Sequence, residues 1–199
     1  MPLWRFWRFE KRVNTFSLFE EALKIAQFSH GEDIGEVTFI SRRDFDERET
    51  FTFETGTPCL EYVSLLIENA VLLRTHRAGR VYAGFEKLSN MESIADRYLR
   101  IADVSERLYV FGEPDWQPPR HPNMRVVELE RDSRLSREWF VIASSPVLKV
   151  ALVAADKDGA GSRTSHEARR FRAMKTSNAA IVTRLSDIAE ELFELTLAA

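Results

Sequence analysis

One helix limits what this chain can become. Thr57-Pro58 opens it, with Thr57 as cap and Pro58 in the first turn, and the pattern predicts that it continues to about His76. Leu60, Val63, Leu66, Ile67, Ala70 and Leu73 place apolar side chains on most of its faces. Such a helix has no wet side broad enough for a surface position, so it belongs at the centre of the fold.

The partners it needs are legible as strands. Glu138–Ala143 and Leu148–Ala155 are apolar runs of strand length joined by Ser144-Ser145-Pro146, the spacing of an antiparallel hairpin. Glu36–Ser41, Arg80–Phe85, Arg107–Phe111 and Arg125–Leu129 also read as strands. Helices are predicted over about Ser17–Phe28, where Ser17 and Glu20 form a capping box, over Met91–Ile101 and over Asn178–Leu197. Asp44–Gly56, Gly112–Asn123 and Asp156–Ser165 read as irregular. The four prolines of the second stretch, Pro114, Pro118, Pro119 and Pro122, cannot donate to a sheet, and mark a surface loop. Strands alternating with helices, plus a late hairpin, predict an α/β (or α+β) domain. Its central mixed sheet is flanked by helices and followed by a C-terminal amphipathic helix. An aromatic and basic segment, 1–16, precedes a single domain over 17–199.

Composition narrows the function classes. At 199 residues, 44% hydrophobic and 30% charged, the chain can bury a core without disulfide or metal staples. A net charge of −3 gives no general attraction to DNA or anionic lipid, so nucleic acid is not an expected partner. The lone Cys59 excludes an internal disulfide and suits a reducing, cytoplasmic setting. No apolar stretch is long enough for membrane insertion, and Met1–Val13 lacks the apolar core of a signal peptide.

No recognisable reaction chemistry is written in motifs. Gly159-Ala160-Gly161-Ser162 lacks the lysine of a phosphate-binding loop, and neither a dinucleotide fingerprint nor a nucleophile elbow is found. His30, His76, His121 and His166 are far apart, with no second ligand at metal spacing. No catalytic residue, metal or cofactor is assigned, and the chain is not expected to be an enzyme.

Four features carry candidate binding roles. Glu68 and Asn69 interrupt the apolar helix, either as polar contacts of a ligand pocket or as groups that meet water or an arginine such as Arg74 or Arg97; the second reading is preferred. A pocket between this helix and the sheet would take Glu68, Asn69 and Trp139 as ligand contacts. Cys59 at the helix start reads as a small core residue before it reads as a reactive thiol. The run Arg163–Arg172 holds four arginines, read as a solvated segment before a phosphate site.

The last helix has Ile181, Leu185, Ile188, Leu192 and Leu195 at alternating spacings of four and three. That stripe suits either a coiled-coil seam or docking onto the chain's own sheet. With Trp4 and Trp7 of the aromatic N-terminus, these residues form the candidate interface for a partner or a second copy.

The order of segments resembles the DICT domain, named for diguanylate cyclases and two-component systems. Ser17-Leu18-Phe19, Leu65-Leu66-Ile67-Glu68 and Tyr98-Leu99 followed by Leu108–Asp115 carry the likeness. So do Glu138–Ile142 with Ser145-Pro146 and Ala151–Ala154, and Phe171–Thr176. In the last, alanine and lysine stand where the family usually has the glycine and tryptophan of Phe-x-Gly-x-Trp-Thr. The resemblance implies a sensory role in bacterial signalling and no catalytic residues. It suggests a stand-alone sensor or adaptor that binds a ligand or protein and passes the event on by protein contacts, as a homodimer or with a signalling partner. The alternatives are a small-molecule-binding domain without a relay and an unrecognised enzyme.

Overall fold

A computed structural model describes residues 15–27, 31–73, 79–131, 133–157 and 169–197. Ser17 caps the first helix, α1 (Leu18–Ala26), by accepting from the Glu20 amide. Strand β1 (Glu32–Glu36) follows, then α2 (Arg42–Glu47), β2 (Thr50–Gly56) and the long α3 (Thr57–Leu72). Strand β3 (Arg80–Lys87) leads through a 3₁₀ segment (Leu88–Ile94) into α4 (Ala95–Val104), β4 (Arg107–Glu113) and β5 (Met124–Glu128). The hairpin β6 (Glu138–Ser144) and β7 (Lys149–Asp156), strand β8 (Arg170–Thr176) and α5 (Ala179–Leu197) complete the order.

The sheet is eight-stranded and mixed, in the order β1-β2-β8-β7-β6-β3-β4-β5. β1 and β2 are parallel at one edge and β3, β4 and β5 are parallel at the other; every pairing between is antiparallel. Three strands, β8, β7 and β6, therefore lie between β2 and β3, and α3, which joins them in sequence, must cross the middle of the sheet. It packs on β2, β7 and β6 with α4 at its side, which is why nearly every face of it is apolar. Leu60, Val63 and Ile67 are fully buried there with Tyr98 and Ile101 of α4. The opposite face holds Tyr82, Phe111, Phe140, Ile142 and Val153 under α1 and α5, so the architecture has three layers, helices over sheet over helices.

Several expectations need correction. Glu36–Ser41 is not a strand: β1 ends at Glu36, although Val37 still donates to the Glu54 carbonyl. The stretch read as irregular over Asp44–Gly56 contains α2 and β2, and Arg170–Thr176 is a central strand. The predicted helix at Met91 begins as a 3₁₀ turn and becomes α-helical at Ala95.

The stripe of the last helix is taken up by the chain itself. Ile181, Leu185, Ile188 and Leu192 are buried among α1 and the sheet, and Leu195 is half-buried. Ile181, Leu185, Ile188 and Leu192 are therefore covered by the chain's own sheet and α1, while Leu195 keeps part of its surface in solvent. Asn178 caps α5 by accepting from the Ala180 and Ile181 amides. Glu190 pins it to the sheet, accepting from the hydroxyls of Tyr82 at 3.2 Å and Tyr109 at 3.1 Å and pairing with Arg80. Trp4 and Trp7 lie outside the described residues.

Candidate ligand cavity

The cavity has its origin in a mismatch of strand lengths. On one side β6 pairs with β7 along its whole length, from Glu138 opposite Ala155. On the other, pairing with β3 stops at Phe140 opposite Gly84, and β3 then changes register against β4. Gly84 leaves its space to the Phe140 ring, since a Cβ there would run into that ring. Beyond Gly84 β3 and β6 no longer pair, leaving Trp139 and Phe85 unpaired with each other across a gap, although Trp139 still stands opposite Ala154 of β7.

That gap is a cavity of about 840 Å³, roofed by α3, the 3₁₀ segment and the start of α4, and closed at one end by Arg169 and Phe171. Glu61, Ser64, Leu65 and Glu68 line it from α3 at spacings of three, one and three, a single helical stripe. Exposed Glu61, Asn90, Glu92 and Ser93 mark its mouth.

Its polar groups are held in place. The Trp139 indole N–H donates to the Ser64 hydroxyl at 2.9 Å, fixing the ring. Tyr98 donates to Glu68 Oε1 at 2.9 Å, while Arg97 Nε stands 3.6 Å from Oε2. Arg97 also donates to Asn69 at 3.0 Å, so Asn69 braces the arginine and is not itself part of the lining. Glu68 is 5% exposed, and burial pushes its carboxyl above the usual range against the pull of Tyr98 and Arg97. Arg169 is gripped by Asp156 at 2.6 Å and by Glu86, and its guanidinium lies 5.2 Å from the centre of the Phe171 ring.

Of the three residues expected to meet a ligand, Glu68 and Trp139 share this cavity and Asn69 stands behind it. Glu68 meets Arg97 as well, so the two readings of that residue describe one place; Arg74 lies outside the described residues. The sequence reading missed Ser64, Phe85, Tyr98 and Arg169. A signal for Ser64 was present: Glu61, Ser64 and Glu68 are the polar positions of one stripe on an otherwise apolar helix.

The other candidates resolve structurally. Cys59 is buried, and burial pushes its thiol up, as in an unreactive core cysteine. In the arginine-rich run, Arg170 pairs with Glu36 and Arg172 with Asp33, while Arg163 and His166 lie outside the described residues. Among the described residues no group of three His, Cys, Asp or Glu side chains stands close enough to hold a metal ion. Among them, too, no helix is long and apolar enough to cross a membrane.

Residues 60–157 match the family model of DICT, the sensory domain in diguanylate cyclases and two-component systems. The chain carries a DICT sensory domain. The matched stretch runs from α3 through β7 and contains the cavity lining except Arg169 and Phe171. No curated protein matches the chain. Among solved structures it is similar to Nuc, a phospholipase D family member from Salmonella typhimurium, at 8% identity over 74% of this chain and 96% of that one. The TM-score of 0.38 is too low for that likeness to carry any argument.

Proposed function

We propose that the DICT domain of this chain senses a small molecule held in the cavity between α3 and the sheet, and answers through a protein contact instead of a reaction. The cavity carries this reading. It lies within the segment that matches a sensory family, and it combines apolar walls with a few fixed polar groups, as ligand sites do. Its polar groups are held by neighbours as donors and acceptors, with Glu68 and Trp139 the most pre-organised of them.

The proposed route of the response runs through β6, because consecutive strand residues face opposite sides of a sheet. Trp139 stands in the cavity. Glu138, beside it, points to the other face, where its carboxylate accepts from the Leu18 amide at 2.8 Å, the Phe19 amide at 3.1 Å and the Ser17 hydroxyl. A shift of Trp139 therefore loads the cap of α1, the helix that follows the aromatic segment with Trp4 and Trp7. That segment is the proposed contact for a partner or a second copy.

Native mass spectrometry of the chain purified from its own host tests the input. The wild type should retain a small molecule that Leu65→Trp, which fills the cavity from its half-buried wall, has lost. A bare mass for both, with no thermal shift of the wild type across a metabolite and nucleotide panel, would overturn it. Hydrogen exchange tests the route: Trp139→Ala should speed exchange at the Leu18 and Phe19 amides severalfold, and unchanged rates there would remove the β6 relay.

A further inference from the structure

We infer that the cavity selects a flat organic cation, a conjugated ring bearing a protonated nitrogen such as an amidine or an aminated heterocycle. The inference rests on the cavity being the ligand site proposed above. Its first support is the distribution of uncommitted charge. The lining holds the carboxylates of Glu61, Glu68, Glu86 and Glu92 against the guanidiniums of Arg97, Arg137 and Arg169; the Glu138 carboxylate belongs to the opposite face.

The arginines are engaged. Arg169 is shared by Asp156 and Glu86, Arg97 by Glu68 and Asn69, and Arg137 has a contact of its own. Glu61 and Glu92, by contrast, have no ion-pair partner among the described residues, and both stand exposed at the mouth. An entering anion would meet unpaired carboxylates first and would have to break an ion pair to find a guanidinium. An entering cation meets the carboxylates of Glu61 and Glu92 unopposed and then reaches Glu68, whose charge is balanced only by Arg97 at 3.6 Å and the Tyr98 hydroxyl.

The second support is aromatic. Trp139 and Phe85 are half-buried on the walls, and the Trp139 indole is locked by Ser64, so its ring plane is offered without reorganisation. Ring faces carry negative quadrupole and attract cations. The chain already uses this contact at the end of the same cavity, where Arg169 lies over Phe171. A flat cation satisfies walls and charges together; an aliphatic polyamine meets only the charges, and a neutral ring only the walls.

Three probes of one shape separate these cases: benzamidine, benzamide and benzoate, titrated into the full chain and followed by tryptophan fluorescence and by isothermal calorimetry. Benzamidine should bind at least tenfold more tightly than benzamide, with benzoate weakest. Glu68→Gln should weaken benzamidine by tenfold or more and leave benzamide unchanged. Glu61→Gln/Glu92→Gln, placed on exposed positions where folding is safe, should weaken benzamidine severalfold and flatten its salt dependence. Equal binding of all three probes, preference for benzoate, or benzamidine binding that ignores both variants would overturn the cation class. The cavity itself would still stand if Leu65→Trp abolished that binding. If no probe binds and Leu65→Trp also retains whatever the wild type retains from its host, the site fails along with the class.

Discussion

On the face of the sheet covered by α1 and α5, Tyr82 stacks on Tyr109 with ring centres 4.9 Å apart, Phe193 closes on Tyr109 edge-on, and Phe111 meets Phe140. Leu185, Val182 and Ile181 fill the space between. On the face covered by α3 and α4, Trp139 and Phe171 still meet edge-on at 6.3 Å, but β3 and β6 part beside them and leave a cavity. One sheet thus carries a sealed face and an open one. The difference teaches where stability and where recognition reside: packing to full density leaves a side chain no alternative position, whereas a gap between parting strands keeps a few polar groups half-desolvated and ready for a partner.

The contrast is broken if substitutions on the two faces cost the same. Leu185→Glu should unfold the protein outright, because it buries a charge with no partner at a position of zero exposure, a loss of several kcal/mol seen in urea melts. Leu185→Ala should cost about 3 kcal/mol by the same measurement. Leu65→Trp, on the open face, should cost under ~1 kcal/mol, since the added ring enters existing space.

Two titrations sharpen the comparison. Glu138, under the sealed face, is pushed up to about 7 by burial, against the hydrogen bonds from Ser17, Phe19 and Leu18. The folded state then holds a proton that the unfolded state releases near 4.5, so wild-type stability falls as pH rises from 4.5 to 7. Glu138→Gln should remove that slope and gain about 2–3 kcal/mol relative to wild type between pH 5 and pH 8, read from paired melts. Glu68 on the open face is raised in the same direction by burial. Glu68→Gln should show the same sign with a smaller effect, because Tyr98 and Arg97 oppose the burial that raises Glu68.

The layered plan was readable because it depends on periodicity. The apolar faces of Thr57–Leu72 required a central place, and the runs on either side of Ser144-Ser145-Pro146 had the length and spacing of a hairpin. What escaped had its signal masked by charge. In β2, Thr50-Phe51-Thr52-Phe53 alternates as a strand should, with Phe51 and Phe53 fully buried, but acidic and basic neighbours made the region look like a loop. β8 alternates exposed Arg170 and Arg172 with buried Phe171 and Ala173, and passed for a charged surface run. β1, Glu-Asp-Ile-Gly-Glu, gives the core only the half-buried Ile34 and pairs along the edge that β2 offers. The last helix shows the other limit: stripe spacing states that a surface will be covered, and only the fold states by what. For the cavity, Glu68 was visible as an interruption, but Arg169 arrives from a distant strand and no local pattern announces it.

Lys175 is buried at 1% exposure, its ammonium 5.0 Å from the Phe45 ring centre and donating to the Arg48 carbonyl at 2.6 Å. An amine sealed in this way is a built-in footprint. Under gentle acylation Lys24 and Lys157, both on the surface, should be labelled early, and Lys175 only when β2 and β8 separate. The chain thus carries its own clock for how often that seam breathes, readable by peptide mapping without any engineered tag.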